Sequence, residues 1–251
     1  MAVTLPRAPP ASVERMLIVL PPSETKAPGG VPDGMDLSFP ALDAVRTSLI
    51  DALATTPLSA MDVPPSKQVE AEENLMLRTG LVMPAIYRYT GVLYDALDAA
   101  TLSADALNRI AIGSALFGLL RAGDSIPRYR LSAGSKVAGQ SMRRWWGSLV
   151  SDVLGEAGFV VDLRSGAYQQ LGPVAGITVR VESVQADGSR KVVSHFNKKY
   201  KGELARALAQ APSAATVCDA AGVADIATAA GYAVEVRGNQ LTVVVGVAGD
   251  T

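Results

Sequence analysis

The chain has 251 residues, 49% of them apolar but only 5% aromatic, with a formal net charge of −1. That composition suits one large core filled by Val, Leu and Ala, and it excludes a protein coated in basic surface. The single cysteine, Cys218, excludes an internal disulfide and a cysteine-based metal knuckle, and no stretch reaches the length of a membrane span.

Residues 1–15 contain three prolines and no apolar stretch of the secretory kind, so they read as a disordered extension ahead of one domain over 16–251. Met16–Leu20 is an apolar run closed by Pro21-Pro22, a buried strand. Ala27–Pro40 is a Pro/Gly-rich loop, and apolar spacing predicts a helix over Asp43–Leu53, then a connector over Thr55–Pro65. Gln68–Leu77 reads as helical with Glu70, Glu72 and Glu73 on its wet side. Pro84–Leu97 is mixed in period, with a helix expected around Thr90-Gly91. Ser103 caps a short helix toward Arg109, and Ile110–Leu120 reads as one strand.

Ser141–Leu154 has a strong helical period, with Trp145 and Trp146 on it, one in the core and one partly exposed. Val160–Leu163 is a second buried strand, after which Ser165 is a candidate cap. Ile177–Val184 alternates as a strand, and Val192–Phe196 is its expected partner across the Asp187-Gly188 turn. Helices follow over Lys198–Gln210 and Thr216–Ala230, the second ended by Gly231 and carrying Cys218 as a buried, inert thiol. Tyr232–Val236 and Leu241–Val245 form a terminal hairpin around Gly238-Asn239. Helices and strands mix without strict alternation, which gives an α+β class: one compact domain, a mixed central sheet flanked by helices.

Charge is unevenly spread. Asp33–Glu73 holds eight acids against Arg46 and Lys67, Arg121–Arg144 holds six bases against Asp124, and Arg190–Arg206 holds six against Glu203. Two basic clusters in a neutral chain can build a local site for phosphate or a nucleic-acid backbone; solvated faces are the alternative. Within the first cluster, Arg121, Arg128 and Arg130 suit a bidentate grip on an anion, Tyr129 can stack on a base, Asp124 can pin an arginine, and Ser132 and Lys136 close a small-residue turn. In the second, Lys198, Lys199 and Lys201 open a helix whose cap is read as Asn197, and Gly202 permits close approach of a ligand or backbone. Ser23-Glu24-x-Lys26 offers an acid/base pair or a clamp, or else a loop salt bridge. The one histidine, His195, is a candidate general acid/base at a strand end or a backbone-bonded residue. Arg164, Ser165 and Tyr168 follow a strand and can complete a cleft. No P-loop, dinucleotide fingerprint or zinc motif is present, and no metal or cofactor is expected.

Four blocks, LPPSETK, FGLLRAGDSIPRYRLSAGSK, VVDLRSGAY and SHFNKKYKG, together resemble the YaaA peroxide-stress protein family over roughly residues 16–232. The first block departs from the family's Ser-Pro-Ala-Lys-Thr spelling, and other members carry an aromatic residue at His195. The resemblance implies that family's compact mixed fold, a cytoplasmic role in the hydrogen peroxide response tied to limiting free iron, and double-stranded DNA bound in a basic cleft. The rival expectation is an enzyme acting on a small phosphorylated or nucleobase-like substrate, with Glu24, Lys26, His195 and Lys198 as its reactive groups. All four blocks are expected to converge on one cleft.

Overall fold

The computed structural model describes residues 16–56, 68–185, 187–192 and 194–246, with the backbone alone for 69, 70 and 194–196. The extension expected over 1–15 and most of the connector over 55–65 lie outside the described residues.

In chain order the strands are β1 (Leu17–Leu20), β2 (Val82–Pro84), β3 (Ile110–Ser114), β4 (Gly118–Arg121), β5 (Ser125–Pro127), β6 (Lys136–Val137), β7 (Gln140–Ser141), β8 (Val160–Asp162), β9 (Ile177–Val184), β10 (Arg190–Lys191), β11 (Ala233–Arg237) and β12 (Gln240–Val245). The α-helices are α1 (Asp43–Thr55), α2 (Gln68–Glu72), α3 (Ala85–Arg88), α4 (Val92–Leu97), α5 (Ala104–Asn108), α6 (Met142–Trp146), α7 (Leu149–Gly155), α8 (Gly166–Gln169), α9 (Ser194–Gln210) and α10 (Ala220–Ala229).

The main sheet runs β11-β12-β9-β8-β1-β3-β4. Its middle is parallel: β1 pairs with β3 and β8, β8 with β9, and β9 with β12. Antiparallel β4 and β11 close the edges. Strand β8 spends its pairing on the first residues of β9, and β10 takes the last, so both lie on the same side of β9. Every residue of β1, β3 and β8 is buried, as a parallel sheet covered on both faces requires. Helix α9 packs on β9, β1 and α4, and α10 on α9 and β11. One domain with a mixed central sheet flanked by helices is what the sequence predicts, and the sheet has eight strands. No helix among the described residues is long and apolar enough to cross a membrane.

The chain leaves β1 to form β3 on one side and returns to form β8 on the other. The sheet order therefore reverses at β1/β8, and open α/β sheets hold their ligands outside the carboxyl ends of such strands. Those ends are Pro21–Lys26 and Leu163–Tyr168.

Several expectations change. Ile110–Leu120 is not one strand but the hairpin β3–β4; the Ser114 hydroxyl accepts the Phe117 amide at 3.0 Å and Gly118 takes φ 71°, folding the chain back. A side chain at Gly118 would meet the Trp146 ring at 2.9 Å, and the turn is buried. Helix 141–154 breaks at Gly147 (φ 53°) into α6 and α7, with Trp146 buried and Trp145 half-buried. Thr90-Gly91 separates α3 from α4 rather than lying in a helix. The partner of β9 is Arg190–Lys191, not 192–196, because Ser194 already begins α9. The last helix starts at Ala220, capped by the Asp219 carboxylate on the Gly222 amide, and Gly231 ends it as expected. Cys218 therefore precedes the helix and is exposed, not buried.

Candidate functional site

A cleft of about 720 Å³ opens at the carboxyl end of β1. Its walls come from Pro22–Lys26, from the loop Tyr129–Gly139, from Leu53 and Thr56 at the end of α1, and from Tyr168 on α8.

The β1 end is shaped by its two prolines and held from three directions. The Tyr94 hydroxyl donates to Pro21 O at 2.9 Å, the Thr90 hydroxyl to Thr25 Oγ1 at 3.1 Å, and the Ala27 amide to Arg88 O at 2.8 Å. Lys26 turns inward: its Nζ donates to Ser23 O and Glu24 O at 3.2 and 3.3 Å and stands 4.3 Å from the Tyr129 ring centroid. A cation over an aromatic face is stabilised by the ring quadrupole. Beneath it the Tyr129 hydroxyl meets Tyr89 Oη at 2.6 Å and Ser114 Oγ at 2.8 Å. Burial pushes the phenols of Tyr89, Tyr94 and Tyr129 well up, so this network is neutral.

The loop wall is pinned by Asn74, only 1% exposed, whose amide group accepts from Arg130 N and donates to Arg130 O, both at 2.9 Å. Beyond it Ser132 and Ser135 form a turn, their hydroxyls 3.0 Å apart and the Ser135 amide on Ser132 O at 3.0 Å. The β6–β7 hairpin then sets Lys136 opposite Ser141, and Trp145 Nε1 ties Val137 O at 3.1 Å.

Tyr168 is placed by a buried ion pair. Arg164 Nε and Nη2 meet both Asp162 oxygens at 2.9 and 2.8 Å, Nη2 also reaches Gly172 O at 2.7 Å, and Nη1 reaches Tyr168 O at 3.3 Å. Gly113 leaves room for the Arg164 stem, since a Cβ there would lie 2.8 Å from its Cδ. The Tyr168 phenol is pushed up to about 12, mainly by burial, against the Ala133 amide that favours its ionised form.

Of the residues singled out in the sequence, Ser23, Glu24, Lys26, Tyr129, Arg130, Ser132, Lys136 and Tyr168 line this cleft. The rest do not. Arg121 donates to Asn108 O at 3.1 Å and lies 5.1 Å from the Phe39 ring. Arg128 pairs with Glu73 at 2.5 Å, so Glu73 faces the loop rather than only water. Asp124 holds the Arg121 amide and Ser38, not an arginine side chain. Arg164 is sequestered, and Ser165 is exposed at the start of α8 without a side-chain cap bond. Asn197 lies inside α9 instead of capping it; its Oδ1 is buried and without a hydrogen-bond partner. Lys198 and Lys199 are exposed, and Lys199 stands 3.8 Å from Glu203. Lys201 is turned to the sheet, donating to Leu163 O at 2.8 Å, and burial lowers its ammonium pKa to about 8. His195 is in the first turn of α9, and its side chain lies outside the described part. Gly202 serves backbone approach: a Cβ there would fall 2.2 Å from Leu93 O of α4. Three of the four blocks therefore meet at the cleft, and the described residues of the fourth do not line it; Lys201 only binds the carbonyls of Leu163 and Arg164 within the third block.

Asn74, Tyr89, Tyr94, Leu53 and Thr56 support or line the cleft, and sequence reasoning did not single them out for it. The hydrogen-bond partners of Asn74, Tyr89 and Tyr94 lie tens of residues away, so no local pattern marks them. Among the described residues no group of His, Cys, Asp and Glu is arranged to hold a metal.

The model of the family described as peroxide stress protein YaaA matches residues 16–236. A UPF0246 protein of Corynebacterium efficiens is 55% identical over 247 residues, which is 92% of this chain and 100% of the relative. One from Corynebacterium glutamicum strain R is 51% identical over the same span, and one from Streptomyces coelicolor is 41% identical over 77% of this chain and 82% of its own length. The chain belongs to the YaaA peroxide-stress protein family.

Proposed function

We propose that the cleft binds a phosphate-bearing ligand and that this binding serves the peroxide-stress role, with its limit on free iron, implied by the family. One observation carries the reading. Among the described residues, the switch-point cleft gathers Lys26, Arg130 and Lys136 with the hydroxyls of Ser23, Ser132 and Ser135 against a single acid, Glu24. Charge-assisted bonds from such groups recognise phosphate. The volume is that of a pocket for a small molecule, not of a duplex groove. In this reading Arg130 and Lys136 hold the anion, Ser132 and Ser135 complete its hydrogen bonds, and Lys26 shapes the floor.

The direct test is a calorimetric titration with inorganic pyrophosphate. Binding that falls about tenfold in Lys136→Ala, the worth of one charged hydrogen bond, is the expected result. No binding by the wild-type chain at low salt overturns the reading.

Double-stranded DNA is the second reading, and one observation favours it. Arg143 and Arg144 on α6 are exposed and follow directly on the hairpin that carries Lys136, extending the basic rim outward. Duplex binding of this kind is sequence-blind and falls steeply with salt. A labelled duplex titrated at two salt concentrations decides it: Arg143→Ala with Arg144→Ala should flatten the salt slope by about two units.

A further inference from the structure

We propose that the ligand of this cleft is a free nucleoside phosphate, its phosphate on the Ser132–Lys136 turn, its base against the Tyr168 ring, and its N–H donors read by Glu24. The proposal rests on the anion-binding reading and names the substrate class for it.

The argument begins with the mismatch between the walls. Ser132, Ser135 and Lys136 offer hydroxyls and a cation. Across the same space stand Leu53, Leu131 and Val137, which an inorganic anion cannot use. Apolar wall is stabilised only when an apolar surface of the ligand removes it from water. A cleft of about 720 Å³ also holds far more than one phosphate group. The ligand therefore has an anionic end and a flat, apolar part.

Tyr168 and Glu24 define that second part. Tyr168 lines the cleft and brings an aromatic ring to a wall that otherwise offers hydroxyls, cations and aliphatic groups. Aromatic rings stack on every nucleobase. Glu24 is exposed, lines the cleft, and acts electrostatically on Tyr168. A carboxylate beside an anion site repels the anion. Its use is to accept from N–H or O–H groups on the neutral portion of the ligand, as carboxylates do from the exocyclic amines of bases. An anion, a stacking face and hydrogen-bond donors together describe a nucleotide; a sugar phosphate lacks the face, and pyrophosphate lacks both.

The test compares inorganic pyrophosphate, ribose 5-phosphate and the four ribonucleoside diphosphates by calorimetry on the full chain. At least one diphosphate should bind about tenfold more tightly than pyrophosphate, the worth of one stacked base. Tyr168→Ala should erase that advantage and leave pyrophosphate binding unchanged, while Tyr168→Phe keeps it. Glu24→Gln should change the ranking among the four bases. Pyrophosphate or ribose 5-phosphate binding as tightly as every nucleotide overturns this proposal and leaves the anion site standing. No binding by any of the compounds removes both.

Discussion

The loop at 128–136 and the start of α9 carry similar letters to different ends. Each strings three bases over a few positions, Arg128, Arg130 and Lys136 in one and Lys198, Lys199 and Lys201 in the other. In the loop, Asn74 fixes the main chain at residue 130 and the β6–β7 hairpin sets Lys136, so two of the bases reach one cleft. In α9 the helical period disperses them: Lys198 and Lys199 point to water and Lys201 to the sheet. A basic cluster in a loop is gathered by whatever pins its backbone; on a helix it is divided by phase.

That contrast can be broken in four places, taken from the largest expected effect downward. Asp162→Ala should destabilise the chain by about 3–5 kcal/mol, because it strands the Arg164 guanidinium in the interior. Urea unfolding reads it as a lower midpoint at unchanged slope. A loss under about 1 kcal/mol would mean that Arg164 escapes to water and that the cleft wall at Tyr168 is not anchored as described.

Next is pH. The folded chain lowers the Lys201 pKa to about 8, below its ordinary 10.5. Between those values the unfolded chain holds the extra proton, so stability rises with pH, by up to about 3 kcal/mol across the window. Above pH about 10 the buried phenols of Tyr89, Tyr94, Tyr129 and Tyr168 stay protonated only in the folded chain. There the unfolded chain holds fewer protons, and stability falls again. Lys201→Met should flatten the rising limb while Lys198→Met leaves it intact; equal profiles for the two would erase the distinction between inward and outward lysines.

Gly202→Ala should cost about 1–3 kcal/mol, since its methyl group would enter the space of Leu93 O. Its neighbour Lys199→Ala should stay within about 0.5 kcal/mol. The smallest effect sharpens the comparison most. Lys198→Ala with Lys199→Ala should change neither melting temperature nor pyrophosphate affinity, whereas Lys136→Ala loses affinity alone. A weakened affinity in the α9 double variant would return the fourth block to the cleft.

Local signals explain what was legible. The run at 17–20, the helical period at 43–55, the Asp187-Gly188 turn and the hairpin around Gly238 are each decided by adjacent residues. The β3–β4 turn is hidden because both arms and the corner are buried, and its one polar residue, Ser114, sits inside an apolar run without the usual cluster of turn residues. Cys218 was misjudged because the Ala-rich composition of α10 begins before the helix does, and Asp219 sets the boundary. Within the site, the loop residues were legible as chemistry, but their supports were not. Asn74 is 56 positions from Arg130, and Thr25 is 65 from Thr90. Arg46 and Arg88 show the same blindness: both are buried and bound to main-chain carbonyls, yet in the sequence they are only positive charges.

The bare backbone at Gly202 has a consequence beyond the packing of α4 on α9. With no side chain between them, α4 and α9 sit at a separation set by main chain against main chain. Helix α4 carries Tyr94, whose hydroxyl holds Pro21 O immediately before Ser23 and Glu24. Dense interiors transmit displacement instead of absorbing it. Position 202 is thus a spacer for the mouth of the cleft: a bulkier residue there would tilt α4, drag the Pro21 carbonyl with it, and reset the aperture from a point that no ligand touches.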